Sequence, residues 1–67
     1  MSITRRNDYR GGRLTIRGNR YGYGGGIVWQ LIESRPNCNA LIAETAVDGD
    51  RVELETYALT EIAHEVH

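Results

Sequence analysis

His64 and His67 stand three residues apart near the end of the chain, with Glu65 between them. A metal-binding helix places two histidines four apart, so that both imidazoles share one face with a glutamate acting as general base. His-Glu-Val-His misses that spacing, and a solvated, frayed terminus accounts for it. Cys38 is the only cysteine, so it can neither close an internal disulfide nor furnish a Cys-rich zinc site. A thiol nucleophile also needs an oriented base, and Cys38 lies in a turn between Asn37 and Asn39 with none apparent. Gly22-Tyr23-Gly24-Gly25-Gly26 offers backbone amides of the kind that cradle phosphate. A Walker loop, however, ends in Gly-Lys-Ser/Thr, and this chain has no lysine. The dinucleotide fingerprint spaces its glycines differently and needs a long parallel unit, which leaves a bend or a bulge as the reading of this segment. Glu53 and Glu55 would lie about 6.6 Å apart on one strand face, yet acid–base chemistry needs an enclosing pocket that so short a chain can hardly build. The expectation is therefore a protein that is not an enzyme, with no catalytic residue, no metal site and no cofactor.

The elements that must position these residues follow from patterning. Residues 1–10 are polar and read as a loose basic arm. Arg13-Leu14-Thr15-Ile16-Arg17 alternates, with Leu14 and Ile16 on one strand face. Gly18-Asn19 reads as its turn, and Arg20-Tyr21-Gly22-Tyr23 as a second strand paired back on it. The apolar run Ile27 to Glu33 fits a buried strand or a helical stripe; β-branched and aromatic residues, the lack of a preceding N-cap, and Arg35-Pro36-Asn37 behind it favour strand. From Ala40 to Val47, Leu41, Ala43, Thr45 and Val47 recur at period two, followed by Asp48-Gly49-Asp50 as a hairpin turn. Arg51 to Leu59 answers as the return strand, with Val52, Leu54, Thr56 and Ala58 on one face and Glu53, Glu55 and Tyr57 on the other. Thr60 then caps a short helix from Glu61 to Val66. The pattern predicts an α+β fold: a small antiparallel sheet of about four strands with a short C-terminal helix.

Sixty-seven residues with 40% hydrophobic and 25% charged residues, eight glycines and one proline make one ordinary globular domain, residues 1–67. No apolar run approaches the roughly 18 residues that cross a bilayer, and the polar opening residues are unlike a secretory leader. A cytoplasmic protein with no membrane partner is expected.

Charge is the distinctive feature. Arg5, Arg6, Arg10, Arg13, Arg17 and Arg20 face a single acid, Asp8, before residue 24, a net charge of +5. From Gly24 onward Arg35 and Arg51 face eight acids, a net charge of −6, so the total of −1 conceals a strong separation of charge. Two binding readings follow, provided the halves do not neutralise one another as surface ion pairs. In the first, Asp48, Asp50, Glu53, Glu55 and Glu61, with Tyr57 as an aromatic anchor, contact a protein target and occupy a basic groove that normally receives phosphate. In the alternative, Arg10, Arg13, Arg17 and Arg20 follow phosphates while Tyr21 and Tyr23 stack on bases of a single-stranded nucleic acid. A third, structural reading is self-association through edge strands, and the sequence leaves the oligomeric state open.

With Asp48-Gly49-Asp50 and Glu53-Leu54-Glu55 as an acidic ridge, the chain resembles in general character the small phage-type anti-CRISPR inhibitors. The resemblance implies a compact, enzymatically silent domain that blocks a nucleic-acid-handling complex by protein contact, in some cases by mimicking DNA charge. It carries no motif, and no individual residue's role follows from it.

Overall fold

Four strands and one helix make up the computed structural model, which describes residues 3–67. Met1 and Ser2, counted above with the arm, lie outside the described residues. Strands β1 (Ile3–Arg5), β2 (Leu14–Arg20), β3 (Ile27–Ser34) and β4 (Asn39–Thr45) form one antiparallel sheet in the order β1-β4-β3-β2. Helix α1 (Arg51–Glu61) packs across one face of β2, β3 and β4. Between helix and sheet lies a core of Leu14, Leu31, Ala40, Ile42, Ala43, Leu54 and Ala58. The expected class, an α+β fold with an antiparallel sheet of four strands and a helix near the C-terminus, is the class observed; several of its members are not the expected ones.

Strand β3 is the strand its β-branched and aromatic residues predict. Strand β2 begins as expected but runs through Gly18 and Asn19, which pair with Trp29 and Val28 and make no turn. Gly18 is tolerated mid-strand because the Trp29 ring takes the space of its missing side chain: a Cβ there would come within 2.9 Å of Trp29 Cζ3. The turn comes later. The Tyr21 N–H donates to Gly26 O at 3.0 Å, closing a loop in which Gly22 and Gly24 adopt φ of +69° and +59°, so Tyr21 to Tyr23 is loop and not a second strand. Ile3–Arg5, expected to be arm, adds as β1 to the outer edge of β4.

In β4 the period-two reading holds for Ala43 and Thr45 and fails at Leu41 and Val47. A β-bulge shifts the register between Leu31 paired with Ala43 and Ile32 paired with Leu41, leaving Ile42 extra. Ile42 and Ala43 are consequently both buried, together with Ala40 and Thr45, while Leu41 is half-buried and Val47 exposed. The Thr45 hydroxyl accepts the Trp29 N–H at 3.1 Å and ends the ladder at that point.

The expected return strand from Arg51 is the helix instead. Asp50, read as a turn residue, is its N-cap, and its side chain accepts the Val52 N–H at 2.8 Å. Glu53 sits in the first turn, and Arg51 reaches Glu55 one turn on at 3.6 Å. The apolar spacing turns Leu54 and Ala58 into the core. The helix ends at Glu61, where the expected one would begin, and residues 62–67 are not helical. Asp50→Ala is expected to lower stability by about 1 kcal/mol, the usual value of such a cap. Thermal melting checks this; a midpoint unchanged within error contradicts the capping role.

Candidate protein-binding surface

The sheet has two dissimilar faces. Leu14, Ile16, Leu31 and Ala43 belong to the helix-covered side, so alternation turns Arg13, Thr15, Arg17, Gln30 and Glu44 to the open side. There the register aligns one side chain from each neighbouring strand. Arg17 Nε donates to Gln30 Oε1 at 3.0 Å, Gln30 Nε2 donates to Glu44 Oε2 at 3.5 Å, and Arg6 Nη2 meets Glu44 Oε1 at 2.8 Å. The result is a continuous polar row across the open face.

At the far end of β3, Glu33 turns inward and is 1% exposed. Its Oε2 accepts the Gly12 N–H at 2.7 Å, and the Arg10 N–H approaches both oxygens at 3.2 Å. Arg35 Nε and Nη2 donate to Oε1 at 3.1 and 3.0 Å, and Nη2 also reaches Asp8 O at 2.7 Å. Burial alone would raise the Glu33 pKa, but the Gly12 and Arg10 amides and the Arg35 guanidinium outweigh it and hold the carboxyl below its ordinary value. Two hollows of about 490 and 380 Å³ flank Gly11 and Gly12, and Glu33 lines the second. Its carboxylate is fully committed to these donors, which makes it a cross-link between the 8–12 segment and β3. Among the described residues no buried side-chain polar atom lacks a partner, and no cluster of three or more His, Cys, Asp or Glu could hold a metal ion.

Most of the N-terminal arginines are left without a carboxylate. Among the described residues, the pairs that join Arg or His to a carboxylate are Arg6–Glu44, Arg35–Glu33, Arg51–Glu55 and His67–Glu65. Of the six N-terminal arginines, only Arg6 meets a carboxylate, so Arg5, Arg10, Arg13, Arg17 and Arg20 keep their charge unpaired. Arg17 and Arg20 lie on β2, and the loop that follows carries Tyr21, 63% exposed, and Tyr23, 108% exposed. Arg10 spends its backbone amide on Glu33, while its side chain and that of Arg13 stand at the exposed start of β2.

No family model, curated protein or solved structure matches this chain. Its surface must be read on its own chemistry.

The acidic residues expected to form one ridge do not share a face. Two residues apart on a strand means one face; on a helix it means about 200° of rotation, which separates Glu53 from Glu55. Glu55 is drawn to Arg51, whose guanidinium carbon lies 6.0 Å from the centre of the Trp29 ring. Asp50 is occupied as the helix cap, and Asp48 sits in an exposed turn at φ +64°, its N–H bonded to Ile27 O at 3.0 Å. Glu53, Tyr57 and Glu61 do fall four residues apart along one helix flank, with Tyr57 half-buried against the core. Sequence reading missed both the polar row and the Glu33 cluster. A signal for the second exists: Glu33 alternates with Trp29 and Leu31, which places an ionisable group on the buried face with Arg35 two residues away.

Proposed function

We propose that the protein is a non-enzymatic inhibitor or adaptor that docks on a protein target through the outer edge of β2, flanked by Arg17 and Arg20, and the tyrosine loop beside it. The observation that carries this reading is the survival of charge separation: among the described residues five of the six N-terminal arginines are free of carboxylates, and five of the nine acids lie on the helix and the turn before it. Uncovered guanidinium groups beside exposed aromatic side chains are the residue types that dominate protein-binding energetics. A total charge of −1 and an acidic helix oppose long-range attraction to a polyanion, which favours a protein partner whose acidic charge is local. The class of target, a bacterial nucleic-acid-handling complex, is what the general resemblance to phage-type anti-CRISPR inhibitors implies, without the acidic ridge, which the helix divides. No described helix is long and apolar enough to cross a membrane.

Single-strand nucleic-acid binding is the second reading, and the exposure of Tyr21 and Tyr23 next to Arg17 and Arg20 is what favours it. Affinity capture from bacterial lysate, followed by titration of the recovered partner, separates the two. The double variant Arg17→Glu/Arg20→Glu is expected to weaken the protein partner roughly tenfold or more, whereas Glu53→Gln/Glu61→Gln leaves it within about twofold. The reverse ranking would return the contact to the acidic helix flank. Tight binding to a single-stranded oligonucleotide that falls steeply with salt, with no protein partner, would replace the proposal by the second reading.

A further inference from the structure

The two edges of the sheet differ in what they leave unpaired. Strand β1 is three residues long, whereas β2 is seven. The Ser34 N–H donates to Arg13 O at 2.9 Å and the Tyr21 N–H to Gly26 O at 3.0 Å, at opposite ends of one register. These bonds fix the phase of the ladder: Thr15, Arg17 and Asn19 direct their main-chain groups to β3, and Ile16, Gly18 and Arg20 direct theirs outward. Leu14 shares the outward phase, and its carbonyl accepts the His67 N–H at 2.8 Å. Among the described residues the outward groups of Ile16, Gly18 and Arg20 have no partner within the protein.

We propose that β2 accepts an extended acidic segment of a partner protein as a fifth strand. The proposal rests on the protein-binding reading above and gives that site its partner chemistry. Strand addition supplies the amides and carbonyls that the three outward residues lack. Charge complementarity sets the composition. Arg17 flanks the edge on the open face and Arg20 on the helix-covered face, neither with a carboxylate of its own. An acidic residue opposite Arg17 on the added strand completes that pair. Beside Gly18, the Trp29 ring provides an apolar floor for the neighbouring side chain on the other face. A second copy of this chain fits poorly, because joining two β2 edges would concentrate the arginines of both copies along one seam. A nucleic acid has no peptide ladder to offer.

The probe is an acetylated, amidated seven-residue peptide of alternating valine and glutamate, with two companions: one carrying glutamine for glutamate, the other N-methylated at every backbone nitrogen. Calorimetric titration is expected to show the parent peptide binding roughly tenfold or more tightly than either companion. Amide hydrogen exchange on the saturated protein is expected to slow roughly tenfold or more at Ile16, Gly18 and Arg20, and to change little at Thr15, Arg17 and Asn19, which already pair with β3. No binding of the parent peptide, equal binding of the N-methylated peptide, or binding without protection of those three amides overturns strand addition. A thymidine oligonucleotide that binds while the parent peptide does not overturns it as well. If strand addition fails while Arg17→Glu/Arg20→Glu still releases the captured partner, the protein-binding reading stands and the edge is not its means.

Discussion

Glu33→Ala is expected to remove about 3–5 kcal/mol of folding stability, the range seen when one partner of a buried ion pair is deleted. A chain of this length has on the order of 3–10 kcal/mol in total, so the variant should be largely unfolded. The cause is local. Without the carboxylate, the Arg35 guanidinium keeps, among the described residues, the Asp8 carbonyl as its acceptor, and the Gly12 and Arg10 amides lose the acceptor that ties the 8–12 segment to β3. Glu33→Gln keeps the shape and one acceptor oxygen but turns two donors toward other donors, and should fall between wild type and the alanine variant. The pH dependence has a definite sign. Because the folded-state pKa is lowered, the contribution of Glu33 is fully present above its unfolded value and is lost as pH falls through the folded one. Urea titrations followed by Trp29 fluorescence at neutral and acidic pH should therefore show the gap between wild type and Glu33→Gln closing in acid. A loss below about 1 kcal/mol for Glu33→Ala at neutral pH would contradict the cross-link.

The second large effect is expected at Leu54. Helix α1 turns Leu54 and Ala58 fully inward, and Leu54 is its one large side chain with no exposure. Eleven residues fall short of the roughly 12–15 at which isolated helices become even marginal in water, so the helix persists because its buried side is held by the sheet. Leu54→Ala should cost about 2–5 kcal/mol, the upper part of that range applying because the surrounding core is small. The loss should appear both as a lower urea midpoint and as reduced helical ellipticity. Val52→Ala, at an exposed position on the same helix, is the control and should stay within about 0.5 kcal/mol of wild type. Equal effects at the two positions would mean that Leu54 does not anchor the helix.

That helix also shows why part of the fold was legible and part was not. Leu54 and Ala58 are four residues apart, a spacing that satisfies both the two-residue period of a strand and the 3.6-residue period of a helix. Val52 and Thr56 complete the strand pattern but are exposed; the deciding residues were the helix formers between them and Asp50 in front. Asp-Gly-Asp serves a hairpin turn and a helix N-terminus equally well. Strand β3 was open to both readings as well, but there its β-branched and aromatic content, with Pro36 behind it, favoured the strand that is observed. Strand β1 left no local mark: three residues become a strand only because the edge of β4, some forty positions later in the chain, is there to receive them. The surface was legible as composition and not as arrangement. Counting charges located the arginine-rich and acid-rich halves, but whether Glu53 and Glu55 share a face depends on helix phase, and whether Arg17 meets Gln30 depends on the β2–β3 register, neither of which a charge count contains.

The row from Arg17 through Gln30 and Glu44 to Arg6 bears on how the open face can engage anything laid across it. Long polar side chains on a sheet surface ordinarily sample many rotamers, and fixing each one on association costs about 0.5–1.5 kcal/mol. Here each is steadied by its neighbour before a ligand arrives. Much of that entropic loss has thus already been incurred in folding, and anything laid on this face would meet a stiff polar template.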